Sequence, residues 1–209
     1  MDPLLPGAIR DVASSLGMDP GWLDAIIYFE SNYSPSVVNK IGATGLIQFL
    51  PSTAAQLGTT TAQLAQMSAV QQMEYVRRYF APYAGRLQSL EDAYMAVLWP
   101  AGIGKPLDAV LWSKNDPKTR VYYNANANLD RNGDGVITKR EAASIVVSYY
   151  RPQTSIISVA PPQASTTPEE VATIAPASAP AGEDEETNTG LVAGIGIVIL
   201  VLGYLFSKS

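Results

Sequence analysis

The sequence predicts a mainly α-helical domain over residues 1–151, a linker over residues 152–188 and one transmembrane helix over residues 189–207. Three observations lead to this prediction. Helix-capping patterns recur ahead of apolar residues spaced three and four apart. No segment shows a convincing alternation of apolar and polar residues, and the composition changes abruptly at residue 152.

Capping patterns mark the predicted helices of the first domain. A helix often begins after a small polar residue whose side chain accepts a hydrogen bond from the first-turn amides. The predicted starts are Asp19 before Pro20, Ser68 with Gln71, Ser89, Asp116 before Pro117, and Thr138 with Glu141. The first of these helices covers residues 20–32, and prolines at 100 and 152 end the third and the last. The pattern also allows a small hairpin around residues 36–46.

The second and third segments differ from the first in composition. Residues 152–188 are rich in Pro, Ala, Ser and Thr and lack aromatic residues, which is typical of an extended linker. Residues 190–206 carry no charge, and their number lies at the lower end of the roughly 17–25 that span a bilayer. The alternative is a buried core helix, but no aromatic-rich sequence flanks this segment to form a core. We therefore expect residues 189–207 to contact a lipid membrane.

The composition also excludes several kinds of site. The 209-residue chain contains neither histidine nor cysteine, which removes the Ser-His-Asp triad, the cysteine nucleophile, His- or Cys-ligated zinc and disulfides. Chemistry has to come from carboxylates, hydroxyls, lysine or a metal that prefers oxygen ligands. The net charge is −5 and no basic stripe with interleaved aromatic residues is seen, so nucleic acid is not an expected partner.

One acidic residue falls on an apolar helix face. Leu23, Ile26 and Ile27 form the apolar stripe of the predicted helix 20–32, and steps of three and four residues lead to Glu30. At a helix end, such a side chain can turn outward into solvent. If it is buried instead, its pKa rises, and a protonated carboxyl at neutral pH is what a general acid requires.

The residues around Glu30 resemble those of lytic transglycosylases of the soluble type, which share the lysozyme-like fold with goose-type lysozymes. The resemblance is carried by Glu30-Ser31, by Gly-Ala-Thr-Gly-Leu-Ile-Gln at residues 42–48 and by Pro-Ser-Thr-Ala at residues 51–54. It implies a lysozyme-like helical domain that cleaves the β-1,4 bond between N-acetylmuramic acid and N-acetylglucosamine in peptidoglycan. Glu30 would be the catalytic residue, the product would be a 1,6-anhydromuramic end, and catalysis would need no cofactor.

The resemblance also implies substrate-binding residues: Ser31, Gly45, Gln48, Phe49, Tyr94 and Tyr123. A later family motif, Ala-Tyr-Asn-Ala-Gly, is only partly present, because Met95 and Val97 replace its Asn and Gly. The family also has a tyrosine that contacts the catalytic glutamate. Tyr122 or Tyr123 could fill that role, and either could instead pack in the core.

A second carboxylate would favour hydrolysis by a muramidase over the transglycosylase reaction. Asp24 lies six residues before Glu30 on the same helix and is expected to point elsewhere. Glu74, Glu91 and Asp92 are expected on exposed helix faces. None is a convincing partner, which favours the transglycosylase reaction.

Residues 130–141, DRNGDGVITKRE, match an EF-hand calcium loop at every fixed position. The expected Ca²⁺ ligands are Asp130, Asn132, Asp134, the Val136 carbonyl, Thr138 and Glu141. The alternative is a solvated Asn/Asp/Gly turn followed by a helix cap. A single loop without a partner hand indicates a structural role for calcium.

The N-terminal residues lack the basic and apolar regions of a signal peptide. Together with a C-terminal anchor and a wall substrate, this predicts a virion-membrane protein of a bacteriophage that acts at the host periplasm and cell wall. Other virion proteins are further expected partners. A non-catalytic wall-binding virion protein and a calcium-binding membrane adaptor remain the alternatives.

Overall fold

The computed structural model describes residues 2–152. In this range the helices α1 to α8 cover Leu5–Leu16, Pro20–Ser31, Pro51–Gln56, Thr61–Ala65, Ala69–Phe80, Leu90–Leu98, Arg120–Ala125 and Lys139–Tyr149. Short 3-10 turns lie at Ala81–Tyr83, Pro100–Gly102 and Ala127–Leu129, and strands β1 and β2 at Val110–Ser113 and Val136–Thr138. The prediction of a mainly α-helical domain is confirmed. No helix within residues 2–152 is long and apolar enough to cross a membrane, and the predicted linker beyond residue 152 and the predicted transmembrane helix lie outside the described residues.

Most of the predicted helix starts are confirmed by their caps. The Asp19 side chain accepts a hydrogen bond from the Gly21 amide at the start of α2. Capping boxes open α5 at Ser68 and α8 at Thr138. The start predicted at Asp116 is wrong, because Asp116 binds the Lys118 amide and the Thr119 hydroxyl in a turn, and α7 begins only at Arg120.

Two strands were not predicted. β1 and β2 pair antiparallel, with Trp112 opposite Ile137, and both side chains are buried. Strands of four and three residues are too short to show an alternating pattern in the sequence. The expected hairpin around residues 36–46 is reduced to isolated bridges, in which Thr44 pairs with both Val38 and Phe49.

Helix α2 lies at the centre of the domain, where it contacts α1, α6 and α8. Its stripe residues Leu23, Ile26 and Ile27 are completely buried. Burying each of these side chains contributes about 1.5–3 kcal/mol, as an upper estimate. The helix that carries Glu30 is therefore anchored in the core by its buried stripe, with α6 among the helices that pack against it.

Candidate active site

Glu30 lies in the last turn of α2 and is half-buried. Within residues 2–152 its side chain makes no hydrogen bond or ion pair. Its oxygens nevertheless reach solvent, because the only orphaned buried polar atoms in that range are Trp112 Nε1 and Asn126 Oδ1. The carboxyl is thus both free of protein partners and accessible to a ligand.

Burial raises the pKa of Glu30 from 4.5 to about 8. Partial exposure and a strong desolvation effect are compatible, since desolvation depends on how much protein surrounds a group while access needs an opening on one side only. At neutral pH the carboxyl therefore carries its proton. That protonation state allows a general acid to protonate a leaving oxygen.

The raised pKa predicts that the stability of wild type, compared with that of Glu30→Gln, depends on pH. The folded state holds the Glu30 proton up to about pH 8, whereas the unfolded chain releases it near 4.5, so this group lowers the free energy of unfolding as the pH rises between these values. Wild type should therefore lose stability relative to Glu30→Gln when melting temperatures are compared at about pH 5 and about pH 9. If the melting temperatures of wild type and Glu30→Gln differ by the same amount at both pH values, the raised pKa is contradicted.

Two tyrosines lie close enough to Glu30 for its charge to raise their pKa values. Burial raises the pKa of Tyr79, and the charges of Tyr83 and Glu30 raise it further. Burial and then the Glu30 charge likewise raise the pKa of Tyr94. The Tyr79 hydroxyl donates to the Ala96 carbonyl at 2.8 Å, which joins α5 to α6 beside the carboxyl. Tyr94 was predicted as a site residue, whereas Tyr79 was missed.

Ser31 connects the end of α2 to the glycine-rich turn. Its hydroxyl is buried and lies 3.0 Å from both the Ile27 carbonyl of its own helix and the Leu46 carbonyl of the turn. Within the turn, Gln48 has a positive φ of 52° and donates to the Gly45 carbonyl at 3.0 Å. A left-handed backbone at a residue other than glycine costs free energy and is concentrated at functional sites. Ser31, the residue that directly follows Glu30, therefore holds this turn against the end of α2.

Gly45 lies directly against the Gln72 side chain of α5. Its φ is +79°, and a Cβ atom placed there would collide with the Gln72 amide group. Gln72 is fully buried, and its Oε1 accepts from the Leu46 amide at 2.9 Å. Gln72 was not predicted from the sequence, although a glutamine on the apolar face of α5, beside Met73 and Val76, was the available signal.

Replacing Gly45 with Ala is expected to destabilise the fold more than the same change at Gly58. Both glycines have a positive φ, but a Cβ at Gly58 meets nothing within 4 Å. Overlap with Gln72 should cost Gly45→Ala roughly 1–3 kcal/mol beyond the shared backbone strain. Chemical denaturation measures the difference, and equal free energies of unfolding for the two variants would contradict the close packing.

Two of the predicted substrate-binding residues make contacts of other kinds. Phe49 is 1% exposed and packs against Tyr79 with the two rings nearly perpendicular, so little of its ring is open to a ligand. The Tyr123 hydroxyl donates to Asp130 Oδ2 at 2.7 Å, which places it at the 130–141 loop. Tyr122 packs against Trp99, with ring centroids 4.8 Å apart.

Three of the four acidic residues considered as partners of Glu30 bind other residues. Asp24 accepts a hydrogen bond from Tyr33 at 3.2 Å, and Glu74 pairs with Arg77 on the surface. The expectation that Asp92 is exposed is wrong, because it forms a buried ion pair with Lys139 of α8. Burial alone would raise the pKa of Asp92, but hydrogen bonds from Lys139 and Gly104 hold it below its usual value.

The 130–141 loop is folded by its own acidic side chains. Asp130 accepts from the amides of Gly133 and Gly135 at 2.8 and 2.9 Å, and Asp134 accepts from the Val136 amide at 2.9 Å. Glu141 uses one oxygen in the capping box with Thr138. Over residues 2–152 no three acidic side chains gather into a cluster that could hold a metal. The donor set, which consists of carboxylate, amide, hydroxyl and carbonyl oxygens, still fits the chemistry of calcium.

A comparison with protein families finds a match in the N-terminal part of the described residues. Residues 7–78 match a family model described as "Transglycosylase SLT domain". The matched segment contains α2 with Glu30, the 42–48 turn and most of α5, and it ends one residue before Tyr79. The chain thus contains, at residues 7–78, a transglycosylase SLT domain of the lysozyme-like superfamily.

Proposed function

We propose that this protein is a lytic transglycosylase that cleaves the β-1,4 bond between N-acetylmuramic acid and N-acetylglucosamine in peptidoglycan. The observation that carries the proposal is Glu30, an accessible carboxyl without a protein partner in residues 2–152, whose pKa is raised to about 8 inside an SLT domain. The SLT domain supports peptidoglycan as the substrate class.

In the proposed reaction Glu30 acts first as an acid and then as a base. It protonates the glycosidic oxygen while the bond from that oxygen to C1 of the muramic residue breaks. The resulting carboxylate takes the proton of the C6 hydroxyl on the same sugar, and O6 bonds to C1. The anhydro ring closes, Glu30 regains its proton, and no water enters the product.

Burial is the only cause of the raised Glu30 pKa among the described residues, so no neighbouring carboxylate contributes to it. Glycosidases that activate water or form a covalent intermediate use a second carboxylate near the first. Asp24, Glu74 and Asp92 are bound to Tyr33, Arg77 and Lys139 respectively. These contacts favour the transglycosylase reaction over the muramidase reaction.

Product analysis tests the proposal. Full-length protein is incubated with purified peptidoglycan, and the new glycan ends are identified by mass spectrometry. Anhydromuramic ends are expected. Reducing muramic ends would show that the protein is a muramidase. Intact strands would indicate a wall-binding protein that does not catalyse cleavage.

We also propose that calcium binds the 130–141 loop through Asp130, Asn132, Asp134, the Val136 carbonyl, Thr138 and Glu141. Support comes from the oxygen-only donor set and from the loop backbone, which Asp130 already closes around Gly133 and Gly135. The ion would neutralise acidic side chains between α7 and α8. It has no part in the bond cleavage.

Calcium is expected to raise the melting temperature of the wild-type protein but not that of Asp134→Ala. Ligand at about 100 times its dissociation constant adds about 2.7 kcal/mol to the free energy of unfolding. Magnesium at the same concentration is the control, because it requires near-ideal octahedral geometry and is bound poorly by a flexible loop of oxygen ligands. Equal melting of wild type in calcium and in chelator would contradict the proposal.

We further propose that residues 189–207 tether the enzyme to a virion membrane, from which it opens the host wall during genome delivery. The uncharged apolar segment 190–206 and a wall-degrading domain in one chain support this. Full-length protein should co-sediment with phospholipid vesicles, and Ile199→Lys should weaken that binding, since a lysine at the centre of a span costs about 2.5–3.5 kcal/mol. Purified virions should contain the chain, and its absence from them would contradict a virion location.

A further inference from the structure

Gln72 uses its whole side-chain amide to join three backbone segments. Oε1 accepts from the Leu46 amide at 2.9 Å, and Nε2 donates to the Pro35 carbonyl at 2.6 Å and to the Leu64 carbonyl at 2.7 Å. The residue is 0% exposed. Water cannot replace these bonds, so the positions of the three segments depend on this one amide.

Both backbone polar groups of Leu46 form hydrogen bonds to side chains of neighbouring helices. Its N–H binds Gln72 of α5, and its carbonyl accepts from Ser31 of α2. Because Ser31 directly follows Glu30, the two bonds place the 42–48 turn between the catalytic helix and α5. Neither neighbour can shift without moving the turn.

The same face of α5 also carries Tyr79, which lies near the Glu30 carboxyl. Tyr79 lies seven residues after Gln72, which brings both side chains to nearly the same side of a helix with 3.6 residues per turn. Tyr79 lies close enough to Glu30 for the glutamate charge to raise its pKa. Helix α5 therefore contacts the 42–48 turn through Gln72 and lies near Glu30 through Tyr79.

We propose that Gln72 is a positioning residue for the reaction: through Leu46 it holds the 42–48 turn at the place where that turn presents the sugar to Glu30. This inference rests on the proposed transglycosylase function. Gln72 touches no substrate atom and acts only through the turn. A misplacement of about 1 Å at a reacting centre costs about 100-fold in rate.

The test compares Gln72→Met, which keeps the length of the side chain but removes its three hydrogen bonds, with Met73→Ala on the same helix. Met73 is buried and takes part in no side-chain hydrogen bond of the described structure. Turnover of soluble peptidoglycan glycan strands is measured well below the melting temperature of each full-length variant. Hydrogen exchange of the Leu46 amide is followed by NMR.

The expected result is a kcat roughly 10–100-fold below wild type for Gln72→Met, with faster exchange at Leu46 and an unchanged alkaline pH limit. Met73→Ala should lose stability but keep its kcat. Gln72→Asn, which retains the amide, is the second variant if Gln72→Met does not fold, and it should show a smaller loss of kcat. A kcat within about twofold of wild type for Gln72→Met, or for Gln72→Asn if Gln72→Met does not fold, would overturn the inference. An equal loss of kcat in Met73→Ala would overturn it as well. An inactive wild type would instead overturn the proposed function.

Discussion

Replacing Glu30 with Gln is expected to lower the rate of glycan cleavage by roughly 100- to 10,000-fold, the range that a positioned acid or base contributes. Glutamine has nearly the same size and shape as a protonated glutamate, but it can neither give nor take the proton. Since the Glu30 pKa is raised to about 8, the variant also removes a desolvated acid and should melt no lower than wild type at neutral pH. Release of soluble fragments from peptidoglycan measures the rate.

Asp24→Asn is the matched control. Asp24 lies on the same helix, and burial also raises the pKa of its carboxyl, but its oxygen binds Tyr33. Its replacement should leave the cleavage rate within about threefold of wild type, as is usual for a residue that takes no part in proton transfer. If Glu30→Gln keeps full activity, Glu30 is not the catalyst. If neither wild type nor variant cleaves but both bind peptidoglycan, the protein is a wall-binding protein.

Replacing Asp92 with Asn is expected to produce the largest loss of stability. Asp92 accepts from Lys139 and from the Gly104 amide, and the Lys139 ammonium also donates to the Lys105 carbonyl. Both ionic side chains are almost completely buried. Removing one charge leaves the other buried without compensation, at a cost of roughly 3–5 kcal/mol. With about 2–4 °C per kcal/mol for a domain of this size, the melting temperature should fall by roughly 6–20 °C.

Glu74→Gln serves as the comparison, because the Glu74–Arg77 pair is half-exposed. Exposed pairs contribute about 0–1 kcal/mol, so this variant should melt close to wild type. Asp92→Leu combined with Lys139→Met, which removes both charges, should recover most of the loss. Similar melting temperatures for Asp92→Asn and Glu74→Gln would show that the buried pair contributes little.

The sequence predicted those parts of the site that follow from local patterns. The Asp19 cap and the stripe through Leu23 and Ile27 place Glu30 on a helix face turned toward the protein. That placement needs only helical periodicity, whereas the sequence left open whether the carboxyl turns outward into solvent or is buried. The capping boxes of α5 and α8 were equally local and were confirmed.

Contacts between distant segments could not be predicted. Gln72 and Leu46 are 26 residues apart, and Lys139 and Asp92 are 47 apart. A single sequence does not show which distant segment a polar residue contacts, and charged residues are by default expected at the surface. Asp92 was therefore expected on the surface, although it is buried.

The tyrosines show the same limit. Eleven tyrosines are present in the chain, and composition alone does not say which lie near Glu30. The fold brings Tyr79 of α5 and Tyr94 of α6 close enough to Glu30 for its charge to raise their pKa values, while Tyr123 binds Asp130 in the 130–141 loop. The residues near Glu30 lie on different helices, so their proximity became visible only with the fold.

The central claim is that Glu30 cleaves the glycan without adding water. Digestion of peptidoglycan by full-length protein in water enriched in heavy oxygen, followed by mass spectrometry of the new ends, tests it most directly. A transglycosylase should give muramic ends one water lighter than reducing ends and free of heavy oxygen, and Glu30→Gln should give almost none of them. Reducing ends that carry one heavy oxygen would contradict the account and assign a hydrolase.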